Sequence, residues 1–322
     1  MGLCIKRIMR VNIKKVVLAF LLADMLICLG VIIGLNINSR QRGTPIATLV
    51  ADRSLTLGDG ISRADIEENF WSFIDNSYIV VGSAPDYTFY KIVSQVPRND
   101  YEPSRFYSED EDLIFYHDSE GNRISHLAID VSTYQGDIDW QQVKASGVDT
   151  VMIRAGLRGY GNGKLKEDPS FVSNIEGATA AGLRVGVYFF SQATNESEGI
   201  EEANYVLGLI DGYNVSCPIA IDTEFVDDSD ARTYNLDITS RTDGVVGFCE
   251  TVKAAGYEPM IYANRNWFVQ SLDMTRLGSY KLWVAHYAEE PNFPYMYNGW
   301  QYTEQGSVPG ITGSVDLNVW FD

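Results

Sequence analysis

The sequence predicts an α/β fold over 126–322: a closed barrel of eight strands and five helices built from a repeated strand–helix unit. Three observations carry this. Apolar runs of strand length alternate with amphipathic runs of helix length from His126 onward. The last two apolar runs, GWQYTE and SVDLNVWF, stand too close together for helices between them. The region has roughly 200 residues, short of the roughly 250 of a typical eightfold barrel, and missing helices account for the difference.

In chain order, residues 1–15 are a basic segment carrying Lys6, Arg7, Arg10, Lys14 and Lys15. The run 16–35, VVLAFLLADMLICLGVIIGL, matches the roughly 20 apolar residues that about 30 Å of hydrocarbon demand, so a transmembrane helix is expected. The basic residues before it put the N-terminus in the cytoplasm and everything after it outside. Asp24 is its one ionisable residue, which the surrounding Leu, Ile and Val offset. The run exceeds the apolar core of a usual cleaved signal, and no A-x-A follows it.

Residues 36–125 are expected to form a small α+β stalk domain. Trp71, Phe89, Tyr90, Phe106, Tyr107, Phe115 and Tyr116 make it too aromatic for a flexible linker. A helical rhythm runs over 61–78, and LIFYHDSEGNRISHLAI alternates around Glu120, Gly121 and Asn122 as a hairpin would.

The barrel strands are then HLAIDVS, TVMIRAG, RVGVYFFS, PIAIDTEF, EPMIYAN and KLWVAHYA, followed by the two runs above. Helices are read in DWQQVKASG, DPSFVSNIEGATAAG, EGIEEANYVLGLIDGY, SRTDGVVGFCETVKAAG and RNWFVQSLDMTRLGSY. Strand–helix–strand repeats imply parallel pairing with right-handed crossovers.

Composition narrows the function. The 322 residues carry 25 Lys plus Arg against 43 Asp plus Glu, a formal charge of −18. Such a chain lacks the basic footprint of nucleic-acid binding. Three His and four Cys occur singly, with no paired-Cys or HExxH spacing, so no metal site is expected. Cys217 and Cys249 fall at one end of the same strand–helix unit, either as a disulfide or as two buried thiols. RGYGNGK at 158–164 lacks the ending of a phosphate-binding loop and is read as lining a cleft.

The chemistry is concentrated in acids at strand ends. Asp222 and Glu224 in AIDTEF stand two apart and so point to one face. Two close carboxyls in a core strand raise each other's proton affinity without structural gain, which suits the proton donor and carboxylate partner of glycoside hydrolysis. Glu224 is expected protonated and Asp222 ionised. Asp130 ends the first strand and Asp316 lies in the last, so in a closed barrel they become neighbours across the mouth. Tyr134, Tyr160, Tyr188, Tyr262, Tyr287, Trp300 and Tyr302 lie near strand ends, and their flat faces with polar tips suit sugar rings.

The segments DVSTYQGDIDW at 130–140, IRAGLRGYGNG at 153–163, DPSF at 168–171, DTE at 222–224, WQY at 300–302 and DLN at 316–318 together resemble glycoside hydrolase family 25, the Chalaropsis-type lysozymes. The resemblance covers 126–322 and nothing before it. It implies a TIM-like (β/α)5(β)3 barrel that cleaves the β-1,4 bond from N-acetylmuramic acid to N-acetylglucosamine in a peptidoglycan glycan strand, without metal or cofactor. By the same resemblance Glu224 is the general acid, Asp222 the carboxylate that stabilises the reacting centre, and Asp130 and Asp316 orient substrate and tune the pair. Two other readings stay open. A chitinase-like glycosidase would carry DxDxE, and its first position is Ala220 here. A non-catalytic wall-binding scaffold held at the membrane would not need Asp222 and Glu224.

Overall fold

The computed structural model of the chain describes residues 77–82, 88–110 and 113–322. The basic segment, the apolar run 16–35 and nearly all of the helix expected over 61–78 lie outside the described residues. Among the described residues no helix is long and apolar enough to cross a membrane. The chain divides into two compact units, 1–92 and 93–322. In the first, β1 (Tyr78–Val81) pairs antiparallel with β2 (Thr88–Lys91).

The second unit opens with a two-stranded antiparallel ribbon, β3 (Phe106–Asp110) and β4 (Leu113–Tyr116). The turn read at Glu120–Asn122 is present: Asp118 Oδ1 accepts from the backbone of Glu120 and Asn122, and Gly121 takes a positive φ of 86°. The strands it was expected to join do not pair beyond one bridge, His117 to Arg123. Residues from His126 belong to the barrel instead, and β4 takes β3 as its partner.

The barrel strands are β5 (His126–Val131), β6 (Thr150–Arg158), β8 (Arg184–Phe190), β9 (Ile219–Asp222), β10 (Pro259–Asn264), β11 (Lys281–Ala285), β12 (Gly299–Gly306) and β13 (Val315–Trp320). A short β7 (Leu165–Glu167) hangs antiparallel on β6. Pairing runs in parallel from β5 through β6, β8, β9, β10 and β11 to β12. It then turns antiparallel from β12 to β13 and from β13 back to β5, which closes the ring.

Five helices follow the first five barrel strands: α1 (Trp140–Ala145), α2 (Phe171–Ala180), α3 (Glu196–Leu209), α4 (Ile238–Ala254) and α5 (Arg265–Ser271). Four start where an Asp or Asn side chain accepts from the first turn: Asp139, Asn195, Asp237 and Asn264. Gly199 lets α3 and α4 approach closely, since a Cβ there would collide with the Gly244 carbonyl.

No helix follows β12 among the described residues, and Tyr101, Phe106 and Ile114 lie against the outer wall beside β12 and β13. Tyr101 stacks on Phe321 at 4.3 Å, and Phe106 meets Trp300 edge-on at 5.2 Å. The Tyr101 hydroxyl donates to the Tyr297 carbonyl, and the Ile114 amide donates to the Tyr302 hydroxyl. The boundary expected at 125/126 therefore falls inside a compact unit that begins at Val93. Cys217 and Cys249 are both buried free thiols.

Inside the ring, side chains two residues apart share a face and form layers. The lower layer, apolar throughout, contains Ala128, Met152, Ala220, Met260, Trp283 and Trp320. Each large side chain buried there contributes roughly 1.5–3 kcal/mol.

Candidate active site

One step up the same strands, the period of two places Asp130 above Ala128, Arg154 above Met152, Asp222 above Ala220 and Tyr262 above Met260. Tyr188 faces the same interior, edge-on to Trp283 at 6.0 Å. These are the C-terminal ends of parallel strands, the mouth at which such barrels do chemistry. Glu224 follows two residues beyond the end of β9. Asp316 lies directly opposite Asp130 in the β13–β5 register, so the neighbour relation read from sequence is present.

The acids influence one another. Burial first, then Glu224 and Asp130, push the Asp222 carboxyl well above its ordinary range, with Arg154 pulling the other way. Asp222 Oδ1 is buried with no hydrogen-bond partner, so its charged form is poorly solvated. Glu224 is raised by burial, with Asp316 and Glu304 adding to it. Asp316 is raised to about 8 by burial, then by Asp130 and Glu304. Asp130 reaches about 6 through burial, held down by hydrogen bonds from Asn318 and Gln301. Burial is the largest cause for both carboxyls and raises both.

Asp130 Oδ2 accepts from Gln301 Nε2 and Asn318 Nδ2, each at 2.9 Å. Asn318 Oδ1 accepts from the Trp283 indole at 2.7 Å. Gln301 Oε1 accepts from the hydroxyls of Tyr262 at 2.8 Å and Tyr287 at 3.0 Å. Arg154 is held by Asp168, which is fully buried, and its guanidinium lies 5.0 Å from the centre of the Tyr134 ring.

Of the seven aromatics named from sequence, Tyr134, Tyr188, Tyr262 and Tyr287 reach the mouth. Tyr134 is 83% exposed and Tyr287 52%, as platforms open to a ligand would be. Tyr160 is half exposed on the loop joining β6 to β7, where its carbonyl accepts from the Arg232 amide. Trp300 and Tyr302 are corrected. Gln301 between them faces the barrel interior, so alternation turns both outward, Trp300 against Phe106 and Tyr302 against Ile114. Sequence reasoning missed Arg154, Gln301, Asn318 and Glu304. The first three stand in the quoted segments IRAG, WQY and DLN; counting two on from Asp316 finds Asn318, whereas Gln301 lies on the opposite face from Trp300. It also missed a half-exposed aromatic group beside Glu224, where Phe225 lies 5.6 Å from Tyr234 and 5.9 Å from Trp267.

Buried acids of raised proton affinity gathered at the C-terminal mouth of a barrel define a site of the glycoside hydrolase class. The chain belongs to glycosyl hydrolases family 25, whose family model matches residues 129–311. It is 31% identical over 191 residues to the autolytic lysozyme of Clostridium acetobutylicum, covering 59% of this chain and 54% of that one. It is also 31% identical over 205 residues to lysozyme M1 of Streptomyces globisporus, covering 59% and 66%. The chain thus spans only part of the length of these relatives. Among solved structures it resembles the modular autolysin LytC from Streptococcus pneumoniae, with 25% identity and a TM-score of 0.55 over 76% of this chain and 57% of that one. The same autolysin in complex with a synthetic peptidoglycan ligand gives a TM-score of 0.54. A family 25 glycosyl hydrolase from Bacillus anthracis, 22% identical with a TM-score of 0.54, shares the fold.

Proposed function

We propose that this chain is a peptidoglycan hydrolase, a 1,4-β-N-acetylmuramidase that cuts between N-acetylmuramic acid and N-acetylglucosamine. The observation that carries this reading is the Asp222–Glu224 pair at the mouth of a family 25 barrel, Asp222 buried, Glu224 half-buried, and both raised. Glu224 donates its proton to the leaving glycosidic oxygen, and Asp222, as the carboxylate, stabilises the positive charge that develops on the sugar. Asp130 and Asp316 orient the sugar, and Tyr134 and Tyr287 offer faces to its rings. The likeness to two bacterial lysozymes, and to an autolysin solved with a peptidoglycan ligand, supports the substrate class. The apolar run 16–35, with five basic residues before it, supports a cytoplasmic N-terminus, a membrane-spanning segment and a barrel facing the wall.

Digestion of purified peptidoglycan, with the new reducing ends identified, tests this reading. Muramic acid at the new ends is the expected result. Glucosamine ends, or cleavage of chitin in preference to peptidoglycan, would favour the chitinase-like alternative, and wall binding without cleavage the scaffold.

A further inference from the structure

Beside Glu224, Phe225, Tyr234 and Trp267 form one aromatic patch on the rim of the mouth. Phe225 and Tyr234 are exposed and Trp267 is partly so, and the Phe225 ring centre lies 5.6 Å from that of Tyr234 and 5.9 Å from that of Trp267. The patch is continuous with the acid, because Trp267 Nε1 donates to Thr223 Oγ1 at 3.2 Å and one pocket is lined by Thr223, Glu224 and Arg241. It is also firmly built. The Arg241 guanidinium lies 4.5 Å from the centre of the Trp267 ring, and its Nη2 donates to the carbonyls of Thr233 and Leu236. The Thr233 hydroxyl donates to Gln192 Oε1 and Arg232 Nη2 to Glu198 Oε1, each at 2.6 Å. The backbone on either side of Tyr234 is thus fastened to α3, to α4 and to the segment after β8, and rings held this way lose little freedom when a ligand covers them.

The order of the strands says what covers the patch. β10 stands four strands from β5 in either direction, so Trp267, which follows β10, and Tyr134, which follows β5, lie on opposite sides of the mouth. A glycan strand laid between them passes Asp130 and Asp316, then Asp222 and Glu224, and then the three rings. The sugar on which charge develops sits by Asp222, so the sugar beyond Glu224 is the one whose oxygen leaves. Asp227 and Asp230 are exposed in the loop between Phe225 and Tyr234 and repel a carboxylate-bearing peptide stem, whereas an uncharged sugar offers C–H faces to the rings. We propose that Phe225, Tyr234 and Trp267 form the platform for the N-acetylglucosamine on the leaving side of the cut bond. The inference rests on the hydrolase reading and adds to it which end of the strand this rim holds.

The test uses the full chain and a peptide-free tetrasaccharide of alternating N-acetylglucosamine and N-acetylmuramic acid, labelled with a carbon-13 acetyl methyl on its third sugar, the first after the cut. Held uncut by Glu224→Gln protein, that methyl should show nuclear Overhauser contacts to aromatic ring protons, and adding Phe225→Ala or Tyr234→Ala should each remove part of them. In the otherwise wild-type chain either substitution should lower kcat/KM for the tetrasaccharide about three- to tenfold. Peptide-bearing strands should lose the same factor. Contacts made by a label on the first sugar instead, contacts that survive both substitutions, an unchanged kcat/KM, or a loss confined to peptide-bearing strands would overturn the proposal. If one variant fails to fold, the other still decides. Wild-type protein that makes these contacts but releases no reducing ends would overturn the hydrolase reading alone.

Discussion

Two layers of side chains stand one above the other on the same barrel strands and follow opposite rules. The lower layer of Met152, Met260, Trp283 and Trp320 is buried and apolar, and every contact in it favours the folded state. The upper layer gathers four acids, one of them with a buried oxygen that has no partner. Two residues of strand separate Ala220 from Asp222, so no change of backbone is needed to pass from core to site. The closed, well-packed floor makes a strained ring of carboxyls tolerable, and function here costs stability locally.

Substitutions in either layer probe that division. Removing the acid should have the largest effect: Glu224→Gln should lower kcat by about 10²–10⁴-fold on purified peptidoglycan, with an unchanged circular dichroism spectrum. In the floor, Met152→Ala should cost about 2–5 kcal/mol in denaturant unfolding while each folded molecule keeps its activity. The reverse sign is expected above it. The folded Asp316 carboxyl titrates at about 8 against an ordinary 3.8, so the folded state holds that proton more tightly, and the group's contribution is lost as pH rises between those values. Asp316→Asn should therefore raise Tm at pH 9 relative to the wild type, by about 2–4 °C for each kcal/mol relieved, and give no gain at pH 3. The smallest effect is expected at the rim, where Tyr134→Ala should raise KM several-fold with little change in kcat. A Tyr134→Ala variant that lost kcat instead would place this ring in the chemistry.

Much of the barrel was legible because its signals are local. Strand-length apolar runs mark where elements begin, and a closed ring makes Asp130 and Asp316 neighbours. What escaped was set by distant partners. Whether Trp300 or Gln301 faces inward depends on the β12 register against β11 and β13, and a one-residue slip exchanges the two faces. The ribbon of β3 and β4 was misread for the same reason, because local alternation does not say which neighbour a strand takes. The raised Asp222 was missed because burial at the mouth depends on the whole ring.

The aromatic cover over β12 and β13 has a practical consequence. Cutting the chain at His126, where the family likeness begins, would strip Trp300 and Phe321 of the rings that shield them and leave a sticky oily flank on an otherwise acidic molecule. Any shortened or grafted form meant to stay soluble must start no later than Val93, so the portable module is longer than its catalytic motifs suggest.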